Sequence, residues 1–205
     1  MASREYARKP APHSPELRTI MNSSRTVERA DVVASVAHGA IGQRRADRVT
    51  PYIDHPRRAA TLVLQWQGAG VIALDDAVLE RCVAAALLHD VLEDTKLPRS
   101  ELEAHFSDDR ALLNLVETMT EIEGDPDHPD YYRNIGRDRE AVIVKCADRC
   151  ANLEDVIKDV RQGNSVERWQ RYLRKTHRDV EPLLEGGLLA ELRKRLEAAE
   201  SLLTF

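Results

Sequence analysis

Aromatic residues make up only 4% of this 205-residue sequence, so the stacking platforms on which single-stranded nucleic acid is bound are scarce. Positive charge is not in excess either. Thirty lysines and arginines against 35 aspartates and glutamates give a formal charge of -5 and an isoelectric point near 5.8. That balance lacks the global positive field that non-specific binding to nucleic acid or a membrane surface needs, although local basic patches stay compatible with it. No apolar run approaches the roughly 18 to 20 residues of a membrane span, and the N-terminal MASREYARKPAPHSP has no apolar secretory core. The expectation is a cytoplasmic protein with neither a nucleic-acid nor a membrane partner.

Cysteine is also sparse. Cys82, Cys146 and Cys150 are odd in number and form no CxxC pair, which argues against a disulfide framework and a thiolate zinc site. They read as small buried apolar residues. What is abundant is helix-forming material, 42% apolar and 32% charged, enough for one domain with a sizeable core. Alternating strand patterns are nearly absent.

Residues 1–24 carry three prolines and little apolar periodicity, so a mobile or loosely docked arm is expected before a single domain over 25–205. Val27, Ala30, Val33, Ala34 and Ala37 recur at helical spacing and predict a helix over about 26–46. A second begins at Pro56 and stops at Gly68 and Gly70. Asp75 or Asp76 can cap a third, whose middle from Val83 to Leu88 is apolar on every side and so belongs at the centre of the fold.

Ser100 with Glu103 has the capping-box pattern, and Arg110 to Thr120 continues as another helix. Residues 121–138 are rich in Gly, Pro and Asp and read as a long irregular loop, a length that suits a functional lid. Helices over about 138–161 and 165–185 follow, and a last one comes after Gly186 and Gly187. The architecture expected is an all-α bundle.

Three segments carry chemistry. In ALLHDVLEDT, residues 86–95, the apolar helix ends in His89, Asp90, Glu93 and Asp94 within two turns. On a helix His89 shares a face with Glu93, and Asp90 shares the adjacent face with Asp94. Three carboxylates and an imidazole beside a core are costly unless something positive neutralises them, which a divalent cation does. The plainer reading is a solvated helix end, although carboxylates there oppose the macrodipole. TPYIDHP, residues 50–56, presents His55, either a ligand or an ordinary hydrogen-bonded histidine. VKCADRCAN, residues 144–152, puts Lys145, Asp148 and Asn152 on one helical stripe, a pattern that an exposed polar face also gives.

In this order and spacing the three segments resemble the HD-domain metal-dependent phosphohydrolases, in the pattern His, then His-Asp, then a distant Asp. More narrowly they resemble the hydrolase domain of RelA/SpoT-type alarmone enzymes and the single-domain small alarmone hydrolases. The resemblance runs from about residue 30 to about 175, and the HDxxED motif separates this branch from generic HD proteins. It implies a compact all-α helical bundle of the HD type. At 205 residues the expectation is a hydrolase domain without the synthetase and regulatory domains of the longer family members.

The resemblance also implies that His55, His89, Asp90 and Asp148 ligate one divalent metal, usually manganese in this family. Two imidazoles and two carboxylates with no thiolate suit Mn, Fe or Zn. Glu93 and Asp94 match the acidic pair that positions and deprotonates the attacking water, and Asn152 matches a residue at the nucleotide-binding face. The implied substrate is guanosine tetra- or pentaphosphate, cleaved at the 3′ position to pyrophosphate and GDP or GTP.

So anionic a nucleotide needs cations around it. Candidates are Arg44 and Arg45 at the end of the first helix, Lys145, and Arg168 with Tyr172, a pair that matches an Arg and Tyr facing substrate in the small hydrolases. The place of the family's Arg-Lys pair reads Gln43-Arg44-Arg45-Ala46, so either Arg-Arg replaces Arg-Lys or the lysine position has become Ala46. His38 receives no role and reads as a helix-surface histidine. Two other readings stay open: the same chemistry on another nucleotide phosphate such as NADPH, and a non-catalytic sensor domain.

Overall fold

The computed structural model describes residues 13–121, 129–161 and 166–203. Helices dominate them, and the only β-type pairing among them is an isolated antiparallel bridge between Arg44 and Pro51. Capping residues fix many of the starts. Ser14 accepts the Leu17 amide at the head of α1 (Pro15–Ser23), and Ser24 accepts the Val27 amide at the head of α2 (Arg25–Ala40). Asp75 does the same for Val78 in α4 (Asp76–Leu88), as expected, and Asp109 for Leu112 in α7 (Arg110–Met119).

Helix α4 is the axis of the molecule. Every residue from Cys82 to Leu88 is fully buried, and α4 packs on α2, on α3 (Asp54–Gly68) and on α9 (Arg139–Arg161). Helix α9 in turn packs on α3 and on α11 (Gly186–Leu203). The three cysteines are free and buried within this core, as their sparseness and spacing predict.

Several expected boundaries move, each for a local reason. The supposed arm over 1–24 is helical across α1, because Leu17 is fully buried against α2 and α3; residues 1–12 lie outside the described ones. Helix α2 ends at Ala40 rather than 46: Gly42 takes a left-handed conformation (φ 63°) that glycine adopts readily, and Arg44 and Arg45 fall in the following loop. His38 is not on the surface. It lies in the last turn of α2, 1% exposed, because the loop folds back over that turn and lays Tyr52 against its ring.

Helix α5 (Val91–Asp94) is separated from α4 by a turn at His89 and Asp90. The Ser100 capping box does not form. Pro98 starts α6 (Arg99–His105), so Ser100 falls inside the first turn and Glu103 bonds Arg99 instead. Part of the expected loop over 121–138 is a short helix, α8 (Pro129–Ile135), with Tyr132 and Ile135 buried in the core; residues 122–128 lie outside the described ones. The helix expected over 165–185 is straight only across α10 (Val166–Lys175), after which Thr176–Val180 widens into a π-helical turn and Glu181–Leu183 tightens into a 3-10 turn.

Candidate metal centre

The turn between α4 and α5 is the first element of the site. Asp90 has φ -99° and ψ -2°, the sparsely allowed bridge conformation in which active-site residues recur. The break carries His89 and Asp90 off the apolar helix at its buried end. Helix α3 supplies His55 from its first turn, and α9 supplies Asp148 from its middle. Residues distant in sequence thereby meet in one small volume.

His55 Nε2 lies 3.2 Å from Asp148 Oδ1 and 3.7 Å from Asp90 Oδ2. His89 Nε2 lies 3.0 Å from Asp90 Oδ2 and 3.6 Å from Asp148 Oδ1. Ligand-type atoms of His55, His89 and Asp148 all fall within 4.8 Å of one another, and both imidazoles are essentially inaccessible to water.

The arrangement fits a metal rather than a set of mutual hydrogen bonds. His89 Nδ1–H donates to the Ala86 carbonyl at 2.9 Å, which leaves Nε2 as the nitrogen available to a ligand; that atom is buried and, among the described residues, has no hydrogen-bond partner of good geometry despite the carboxylate beside it. A fixed tautomer with the other nitrogen aimed at a shared point is how metal-ligating histidines are oriented. With no thiolate in the set, the donors suit a divalent ion of intermediate or hard character.

Electrostatics point the same way. Burial alone would raise the Asp90 and Asp148 carboxyls, yet His89 beside Asp90 and Lys145 beside Asp148 hold both well below the usual carboxylate range. Burial disfavours the charged form of His89, but Asp90 and Asp148 favour positive charge at its Nε2 and drive it well above its ordinary value, so that nitrogen carries either a proton or, once the proton is displaced, a cation. Both carboxylates are thus kept ionised, the form in which they ligate a divalent cation.

Around this centre the other expected residues take different positions. Lys145 is buried, with Nζ 3.0 Å from Asp148 Oδ2, and Asn152 Nδ2 donates to Asp148 Oδ1 at 2.7 Å. Lys145, Asp148 and Asn152 therefore do share a stripe, turned inward rather than to solvent. Glu93, exposed at the rim, accepts the Glu121 amide at 3.1 Å; partial desolvation of its carboxyl raises it, that amide draws it back, and the charge of Asp90 raises it again, leaving it above the usual range. Asp94 is exposed on the same short helix. Arg45 is held by Asp155 at 2.8 Å and Asn152 at 2.9 Å, whereas Arg44 is exposed. Arg168 is exposed over the Trp169 ring, and the buried Tyr172 hydroxyl has no hydrogen-bond partner of good geometry among the described residues.

Two residues that sequence reasoning passed over belong to this neighbourhood. Tyr52 donates its hydroxyl to Asp90 Oδ2 at 2.6 Å from the turn just before α3, and its place in the same TPYIDHP segment as His55 was the available signal. Arg149 is 4% exposed, with its guanidinium 4.6 Å from the Tyr172 ring and hydrogen-bonded to Tyr132 and Thr176. Nothing in the sequence around it separates it from the exposed arginines nearby.

An all-helical domain with a buried two-histidine, two-aspartate centre is the class that fold and site define. The family model described as HD domain matches residues 52–153, the stretch that contains all four of these residues. A guanosine-3′,5′-bis(diphosphate) 3′-pyrophosphohydrolase MESH1 of Xenopus tropicalis is 34% identical over 162 residues, covering 71% of this chain and 82% of the relative. The MESH1 of Homo sapiens is 34% identical over 142 residues, covering 63% and 70%. A solved structure described as "A metazoan ortholog of SpoT hydrolyzes ppGpp and plays a role in starvation responses" superposes with a TM-score of 0.63 at 24% identity, covering 85% of this chain and 96% of that one. The chain belongs to the HD-domain family, in its MESH1 branch.

Proposed function

We propose that this protein is a divalent-metal-dependent hydrolase that removes the 3′-diphosphate of guanosine-3′,5′-bis(diphosphate), consuming one water and releasing pyrophosphate and GDP, or GTP from the pentaphosphate. The observation that carries the reading is the convergence of His55, His89 and Asp148 on one buried point, with Asp90 3.0 Å from His89 at its edge, in a chain whose relatives are named for this reaction. Those four residues would hold the ion, for which manganese is our choice. When bound, such an ion polarises a phosphate oxygen and acidifies water.

The chain's own residues supply the rest. Glu93, with its carboxyl raised above the usual range, takes the proton of the attacking water, and Asp94 beside it orients that water. Lys145 and Asn152 reach the reacting diphosphate from the α9 stripe that carries Asp148. Arg44, Arg45, Arg168 and Tyr172 line the approach and meet the remaining phosphates and the nucleoside. A nucleotide substrate also fits the expected cytoplasmic setting, and no helix among the described residues is long and apolar enough to cross a membrane.

The test is a substrate screen on metal-stripped protein reloaded with manganese. Stoichiometric pyrophosphate and GDP from guanosine tetraphosphate are expected, with NADPH at equal concentration turned over more slowly. Metal-loaded protein that leaves guanosine tetraphosphate intact would refute the proposal, and preferred release of phosphate from NADPH would replace its substrate.

A further inference from the structure

We infer that Gln43 is a positioning residue for Asp94, aimed by His38; this rests on the reading of Asp94 as the residue that orients the attacking water. His38 Nδ1–H donates to Gln43 Oε1 at 2.6 Å, and Gln43 Nε2 donates to Asp94 Oδ2 at 2.9 Å. A carboxamide has one accepting end and one donating end. With the accepting end taken by His38, the donating end faces Asp94 and no other orientation keeps both bonds.

The bracket is built into the backbone as well. Gly42 in its left-handed conformation turns the chain at the end of α2, so that the Gln43 amide donates back to the His38 carbonyl at 3.1 Å, while the Gln43 carbonyl accepts the Tyr52 amide at 3.2 Å. The His38 ring is packed 4.7 Å from that of Tyr52, whose hydroxyl bonds Asp90. One rigid group of three side chains therefore stands behind both Asp90 and Asp94.

Asp94 needs such support. It is exposed at the end of a four-residue helix, and among the described residues the Gln43 amide is the one hydrogen-bond donor to its carboxylate. An exposed carboxylate without a fixed donor samples several rotamers, and a water held by it loses the alignment that in-line attack requires. A charge-assisted bond from a locked amide removes that freedom.

The experiment is a double-mutant cycle on the manganese-loaded full chain with guanosine tetraphosphate, using Gln43→Met, Asp94→Ala and the pair, read by single-turnover and steady-state kinetics. Gln43→Met should lower kcat about 10- to 100-fold, the range for residues that orient a site from behind it. KM, manganese affinity and melting temperature should stay unchanged, and no further loss should appear in the Asp94→Ala background. Gln43→Glu, which sets a like charge against Asp94, should lower kcat further, and it decides the question if Gln43→Met fails to fold. Unchanged kcat, a loss that falls on KM or metal affinity, or an equal loss in both backgrounds overturns the assignment while the proposed reaction stands. A wild type without turnover overturns the reaction and the assignment with it.

Discussion

Replacing Arg57 by methionine should destabilise the protein strongly at neutral pH and much less in acid. Asp31 on α2 is only 4% exposed, and Arg57 on α3 grips it with Nε at 2.7 Å and Nη2 at 2.8 Å, while His13 adds a contact at 3.1 Å. Burial would raise the Asp31 carboxyl, but the two-point bond to Arg57 holds it below the usual range. Removing Arg57 leaves a buried carboxylate without its cation, which is destabilising by about 3–5 kcal/mol. For a chain of this size each kcal/mol moves the melting temperature roughly 2–4 °C, so a drop of about 6–20 °C is expected.

The sign with pH follows from linkage. In the wild type the depressed Asp31 carboxyl contributes stability that is present above the ordinary carboxylate range and is lost as pH falls through its folded value. In the variant, burial without the guanidinium raises that carboxyl, so Asp31 takes up a proton earlier and the deficit shrinks on acidification. Urea denaturation at pH 7 and near pH 4 measures both effects. A deficit below about 1 kcal/mol, the level of an exposed pair, or one that is constant across that range, would refute the reasoning. Asp31→Leu combined with Arg57→Met should recover most of the loss, since an apolar pair of similar volume can replace a buried ion pair.

Three further outcomes are expected. Manganese at about 100 times its dissociation constant should stabilise the metal-stripped wild type by about 2.7 kcal/mol, seen as a rise in melting temperature, and the same titration should leave Asp148→Ala unmoved. Glu93→Gln should lower kcat by about 10²- to 10⁴-fold, the usual contribution of a general base, while calorimetry finds manganese still bound. Tyr52→Phe, which deletes the hydroxyl bonded to Asp90, should weaken manganese binding about 10- to 100-fold, measured by competition with a chelating dye; unchanged affinity would remove Tyr52 from the site.

The residues of the centre were legible because the chemistry demands particular types at particular spacings. His89 and Asp90 close an apolar helix, His55 opens another, and Asp148 sits between Lys145 and Asn152 on a third. Tyr52, Arg149 and His38 were not legible in the same way. Their importance lies in what they touch, and an arginine next to Asp148 or a histidine in the last turn of α2 reads alike whether it faces solvent or the core.

The sequence by itself determined the long amphipathic or buried helices such as α2, α4 and α7, since the 3.6-residue apolar period and caps such as Asp75 are local, and it pointed to the composition of the candidate site. Only the tertiary structure decided that α1 docks, that His38 is buried, that Arg45 is already held by Asp155 while Arg44 is exposed, and that Gln43 reaches Asp94. Burial and partner choice depend on which surfaces meet across tens of residues of intervening chain, and no local period or propensity encodes that meeting.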